Sequence, residues 1–215
     1  MPSNHQPLNR PITSLCVFCG SGDGANPAFK ASATALGAFT ATHKIKLIYG
    51  GGDMGLMGAL ATSALKQGGD VTGVIPEFLL KYQGETLNLT QQIITKDMHE
   101  RKAKMYELAD AYIALPGGIG TLEELVETMT WEQLGQHKKP IILLNTDNFW
   151  QPFLNLLSHM KDEHFIRQGL EVNFHVIEKI DTLKDLLSLE GEEKASNPAK
   201  ADRQRPPTKP PATHQ

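Results

Sequence analysis

The chain has 215 residues, of which 40% are hydrophobic and 21% charged, with a net charge of −3 and two cysteines. Its length suits one domain that buries about 70% of its unfolded surface. Its basic residues do not gather into a nucleic-acid footprint, no apolar run approaches the roughly 20 residues that span a bilayer, and the N-terminus lacks the apolar stretch of a signal peptide, so a cytoplasmic protein without nucleic-acid or membrane partners is expected.

Residues 1–13 are polar and proline-bearing and read as a flexible arm. Ser14 to Cys19 is a first apolar strand, running into a glycine-rich turn that begins at Gly20 and Ser21. Pro27 suits the first turn of a helix reaching about His43. Lys46 to Tyr49 is a strand, followed at once by GGGDMGLMG and a helix to about Gln67. Asp70 to Ile75 is the next strand. From Pro76 to Thr90 periodicity is lost, and this connection is expected to lie over the site. Gln92 to Thr95 reads as a strand, and Asp97 as the N-cap of a helix with Glu100 at its third position. Ala111 to Leu115 is a strand that enters PGGIGTLEE, whose helix ends near Gly135. Pro140 to Asn145, Phe149 to about Glu163, His175 to Ile177 and Thr182 to Leu189 read as strand, helix, strand and helix.

Alternating strands and helices, with strands apolar throughout, predict a Rossmann-like, doubly wound, mostly parallel sheet with helices on both faces. One such domain is expected over residues 14–189. From residue 190 onward large apolar residues nearly vanish, which predicts a disordered tail over 190–215. Ligands of such sheets bind beyond the carboxyl ends of the strands, where strand order reverses, so the glycine turns near residues 20, 51 and 117 should converge there.

The stretch Pro116 to Glu124 concentrates the chemistry. Its glycines Gly117, Gly118 and Gly120 leave amides bare at the start of a helix, where the dipole favours an anion, typically a phosphate. Phosphate binding alone does not call for Glu124. Thr121 followed three residues later by Glu124 also fits a capping box, in which both side chains serve the helix start.

Other motifs admit two readings. Gly50, Gly52 and Gly55 fit the dinucleotide fingerprint, with Glu77 spaced to meet a ribose hydroxyl, yet close packing through Gly55 and Gly58 explains them as well, and a chain this short has little room for a second nucleotide half. Cys16 and Cys19 mimic a redox pair but lie within a strand, where residues three apart point to opposite faces, so core packing is expected and no metal site. Arg101 and Lys102 open a helix where the dipole mildly disfavours cations, which suits a phosphate ligand or an ion pair with Glu124.

Taken together, CVFCGSG, YGGGDMGLMG, GVIPEFL, MHERK, LPGGIGTLEE and TWEQLGQHKKPIILLN, in this order and spacing, resemble the LOG family of cytokinin riboside 5'-monophosphate phosphoribohydrolases, whose bacterial members are often labelled lysine decarboxylases. The resemblance covers about residues 14 to 189. It implies a homodimer that hydrolyses the N-glycosidic bond of AMP or N6-prenylated AMP, without a cofactor. It places the catalytic pair on Arg101 and Glu124, and substrate positions on Lys102, on Gly118, Ile119, Gly120, Thr121, Leu122 and Glu123, and on Thr130. Gly20, Ser21, Gly51, Gly52 and Gly117 join them as phosphate-cradle candidates. Bacterial relatives usually carry a glutamate in the loop after IPEFL, where this chain has Gln83, with Glu85 two residues on.

The residues suit that chemistry. N-glycosidic cleavage builds positive charge on the ribose, and a carboxylate beneath the sugar can stabilise it, bind ribose hydroxyls or orient water. Arg101 could hold the phosphate or orient Glu124. A decarboxylase would instead need pyridoxal phosphate on a Schiff-base lysine with an acidic partner for the ring nitrogen, and no lysine follows a phosphate turn in a persuasive context. A non-catalytic nucleotide or cofactor carrier would keep the cradle without needing the Arg101 and Glu124 pair.

Overall fold

The apolar runs form strands because every backbone group in a sheet covered on both faces must pair within the sheet. The computed structural model describes residues 11–83, 87–187 and 189. Among these, β1 (Ser14–Phe18), β2 (Lys46–Tyr49), β3 (Val71–Pro76), β4 (Gln91–Thr95), β5 (Ala111–Ala114), β6 (Ile141–Leu144) and β7 (His175–Ile177) form one sheet in the order β4-β3-β2-β1-β5-β6-β7. All pairings are parallel. Strand order reverses at β1, whose neighbours are β2 and β5.

Among the described residues, five α-helices lie between strands, α1 (Pro27–Thr42), α2 (Gly55–Lys66), α3 (Met98–Leu108), α4 (Ile119–Gln133) and α5 (Gln151–Asp162), and α6 (Asp181–Leu186) follows β7. One core layer joins Val17, Tyr49 and Ile113 to Leu36 of α1, Leu60 of α2 and Leu183 of α6. The opposite layer joins Phe18, Ile48 and Tyr112 to Met105 of α3 and Leu125 of α4, with Phe153 of α5 packed against it. Cys16 and Cys19 fall in different layers, both buried and free, as alternation along the strand requires.

Two differences from the sequence reading concern the connections. The segment after β3 is not structureless, since Glu77–Tyr82 winds as a 3-10 helix; its lack of a 3.6-residue pattern follows from having no buried residue. Ordered contacts also begin before Ser14. Ile12 is buried, and Asp110 Oδ2 accepts from the amide and hydroxyl of Thr13 at 3.0 and 2.8 Å and from those of Ser14 at 3.0 and 2.9 Å. That carboxylate ties the start of β1 to the start of β5, the two strands that bracket the reversal. The remainder of the arm, Glu85 and the tail from residue 190 lie outside the described residues. No helix among the described residues is long and apolar enough to cross a membrane.

Candidate active site

Three helices start at the carboxyl edge of the sheet near the reversal, and their free amides are treated differently. At α1, the Asn26 side chain accepts from the Ala28 amide at 2.9 Å and caps the helix. At α2, the amides of Leu56 and Met57 donate to the Gly20 carbonyl at 3.1 and 3.3 Å. At α4, the N-cap is Gly118, which offers no side-chain acceptor, and Gly118, Ile119 and Gly120 are exposed. An α-helix leaves its first amides without internal partners, so the α4 start is the one still open to an anion.

This arrangement decides between the two glycine-turn readings. A dinucleotide pyrophosphate would need the α2 amides, which the first turn already occupies. Glu77, the residue spaced to meet a ribose, is exposed in the 3-10 segment. Gly55 stands at φ +59°, and a Cβ there would lie 2.4 Å from the Ser21 carbonyl carbon. The glycine belongs to the docking of α2 on the first turn. The turns at Gly20 and Gly117 also touch, with the Gly20 amide donating to Pro116 O at 3.1 Å.

Beside the open α4 start lies a buried ion pair. Arg101 Nη1 donates to Glu124 Oε1 at 2.7 Å, with side chains 9% and 8% exposed. Arg101 Nε donates to Val74 O at 3.1 Å, and its other arm lies against Gly50, where a Cβ would sit 2.2 Å from Nη2. The guanidinium is therefore fixed by a carbonyl from β3, a glycine after β2 and a carboxylate from α4. Burial pushes the Glu124 carboxyl above its ordinary value, and the attraction of Arg101 offsets only part of that shift. A carboxyl perturbed by burial together with a specific charge partner makes Glu124 a candidate functional group.

The capping-box reading of Thr121 and Glu124 is overturned. Thr121 is the third residue of α4, behind the N-cap Gly118, and the Glu124 side chain is spent on Arg101. Thr121 is buried, and a Cβ on Gly117 would meet its Oγ1 at 2.2 Å. The hydroxyl thus packs under the cradle instead of closing it.

A second, more exposed network flanks the pair. Lys102 bonds Glu123 in a short contact and lies 3.0 Å from Glu127, which also accepts from the Tyr106 hydroxyl at 2.7 Å. Burial draws the Lys102 ammonium down, but Glu123 and Glu127 outweigh it and hold the pKa above its usual value. Glu127 and Tyr106 were not singled out from the sequence. Their spacing could have found them, because Tyr106 lies one helical turn after Lys102 and Glu127 one turn after Glu123.

The structure brings together Arg101, Glu124, Lys102, Glu123 and the turn from Gly117 to Thr121, with Gly50 behind the guanidinium and Gly51 against Val74 and Ile75. It does not bring Thr130 to them within one chain. Thr130 is exposed on α4, about 18 Å along the helix axis from Gly118 at 1.5 Å per residue. A cavity of about 940 Å³ between α5 and β7, lined by Asn145, Gln151, Asn173 and His175 among others, contains none of these residues.

A doubly wound parallel sheet with an uncapped helix start at its reversal, beside a buried guanidinium–carboxylate pair, defines a Rossmann-like protein with amide donors left where such folds take anionic ligands. A family model described as "Possible lysine decarboxylase" matches residues 57–187. The cytokinin riboside 5'-monophosphate phosphoribohydrolase of Rhodococcoides fascians is 46% identical over 154 residues, covering 71% of this chain and 78% of that protein. An Arabidopsis thaliana protein of the same name is 46% identical over 154 residues, covering 71% and 70%. The chain belongs to this family, the LOG family. Among solved structures, the fold is shared with a molybdenum cofactor binding protein of Rippkaea orientalis (TM-score 0.62, 24% identity, 84% of this chain and 98% of that one) and with the molybdenum cofactor carrier protein of Chlamydomonas reinhardtii (TM-score 0.58, 22% identity, 83% and 99%).

The family model's description raises pyridoxal phosphate, which the site does not suit. A Schiff-base lysine has to shed its proton before it attacks, whereas Lys102, the lysine at this site, is held protonated between two carboxylates.

Proposed function

We propose that this protein hydrolyses the N-glycosidic bond of a nucleoside 5'-monophosphate, a cytokinin riboside 5'-monophosphate or AMP, releasing the free base and ribose 5-phosphate. The observation that carries this reading is the buried Arg101–Glu124 pair set beside the uncapped glycine start of α4. Relatives 46% identical over most of the chain, named for this activity, support it. The phosphate sits on the α4 amides, which places the ribose toward Glu124. As the bond from C1' to the base nitrogen breaks, the electron pair leaves with the base, which takes up a proton, and positive charge grows on the ribose ring. The Glu124 carboxylate stabilises that charge, and water adds at C1' and gives up its proton. Arg101 holds the carboxylate in place. The fold is shared with cofactor carriers, but these are only 22–24% identical to this chain, against 46% for relatives named as phosphoribohydrolases.

Incubation with AMP and with isopentenyl-AMP, followed by chromatography of the free base, tests the proposal. Base is expected from at least one of them, and tight binding of both without release would favour the carrier. The acid limb of kcat/KM is expected above the ordinary glutamate pKa of about 4.3, since burial raises Glu124 and activity falls as the carboxylate takes up its proton. A limb at or below that value would show that Glu124 is not the group being titrated.

The protein is further proposed to act as a homodimer through α4. Ile119, Val126 and Leu134 are 82%, 42% and 67% exposed, and with Thr130 they recur on one face of the helix. A second copy packed there would cover that stripe and carry its Thr130 toward this chain's cradle. Val126→Asp is expected to yield monomers in sedimentation, with reduced turnover; a dimer of unchanged affinity would refute this interface.

A further inference from the structure

Lys102 is held by two carboxylates of α4 that differ in freedom. Its ammonium bonds Glu123 Oε1, on a side chain 51% exposed, and lies 3.0 Å from Glu127 Oε2, on one 27% exposed. That same Glu127 oxygen accepts from the Tyr106 hydroxyl at 2.7 Å. Tyr106 is buried, and its ring meets Phe18 and Tyr112 edge-on at centroid distances of 6.3 and 5.8 Å, with Trp131 at 5.7 Å. Burial, reinforced by Glu127, pushes the phenol upward, so it stays a donor. The hydroxyl also lies 3.4 Å from the Glu124 carbonyl, a backbone contact independent of Lys102. One anchor of Lys102 is thus pinned by a packed ring, whereas the other stands half in solvent.

An ammonium has three donors. Two of them face Glu123 and Glu127, and anchoring two sets the direction of the third. Both anchors belong to the helix whose start carries the phosphate. Glu123 is about 8 Å along the axis from Gly118 at 1.5 Å per residue, so the ammonium stands beside the ligand. Resting on the phosphoribohydrolase reading above, we propose that Tyr106 is a positioning residue that, through Glu127, aims the third donor of Lys102 at the ribose 5-phosphate half of the bound nucleotide. Without the hydroxyl, Glu127 keeps its charge but loses its fixed place, and the ammonium turns with it. The contact lies away from the bond being cut. Bound substrate and transition state feel it equally, and such an interaction changes KM rather than kcat.

Tyr106→Phe removes the one oxygen and keeps the packed ring. It is expected to raise KM for AMP about 5-fold with kcat within about 2-fold, the size of one hydrogen bond. Glu127→Asp keeps the charge but draws it back from both partners, and should raise KM in the same way. An unchanged KM in either variant, or a loss carried by kcat instead, would overturn the proposal. The cycle with Lys102→Ala separates aiming from packing, because a hydroxyl that merely supports the fold acts whether or not the lysine is present. In the Lys102→Ala background, Tyr106→Phe is expected to change kcat/KM by less than about 2-fold, since nothing is left to aim. An equal loss with and without Lys102 would overturn the proposal. If the unaltered protein releases no base from AMP, the functional reading fails. The same four proteins are then compared by calorimetric Kd for AMP, where weakening confined to the proteins that keep Lys102 upholds the aiming and equal weakening in both backgrounds overturns it.

Discussion

Replacing Glu124 or Arg101 by alanine is expected to lower release of adenine from AMP by about 10² to 10³, the usual cost of one preorganised electrostatic group. The two variants should differ in stability. Loss of Glu124 strands the Arg101 guanidinium, which cannot shed its proton, with Val74 O as its remaining acceptor among the described residues; breaking a buried pair in this way costs about 3–5 kcal/mol. Loss of Arg101 leaves a carboxyl already pushed upward by burial, which escapes most of that cost by taking up a proton. Both proteins should fold, with Glu124→Ala melting lower. The double variant should be no slower than the slower single one, because the pair acts as a unit. Adenine release near the unaltered rate from either single variant would remove the pair from the mechanism.

Gly50→Ala is expected to cost nearly as much without removing a charge. A Cβ at residue 50 would stand 2.2 Å from Arg101 Nη2, so the guanidinium must move. It cannot do so freely, since Nε is held by Val74 O and Nη1 by Glu124. Shifting it by about 1 Å misplaces the carboxylate that it carries, and misplacement on that scale costs about 10²-fold in rate. Steady-state kinetics beside a thermal melt should show a folded protein with turnover lowered about 10- to 100-fold. A variant with unchanged turnover would mean that Arg101 is not held where its contacts place it.

Strands were legible in the sequence because a parallel sheet buried on both faces needs continuous apolar runs, and Lys46–Tyr49 and His175–Ile177 fell where those runs predicted. The Asp97 cap was legible for a local reason, with its carboxylate accepting from the Glu100 amide at 2.8 Å. The same local rule failed at Thr121. A threonine three residues before a glutamate satisfies the capping pattern, but Arg101 lies 23 residues away in sequence, and no short-range pattern registers a partner at that distance. Gly50 was open to two readings for a related reason. It matches a phosphate fingerprint, whereas the space it leaves is filled by a side chain from another helix. Thr130 entered the candidate site through family resemblance alone, and one chain does not bring it there.

The uncapped start of α4 has a thermodynamic consequence. Replacing Gly118 by a residue with a side-chain cap would add about a few tenths of a kcal/mol to the helix, and this chain goes without it. A residue that recovered that stability, such as aspartate, would place its own oxygen where the substrate phosphate must bind and would act as a tethered competitor. Selection for a more robust fold and selection for catalysis therefore oppose each other at this one position, and screens for thermostable variants should tend to return inactive proteins when they alter it.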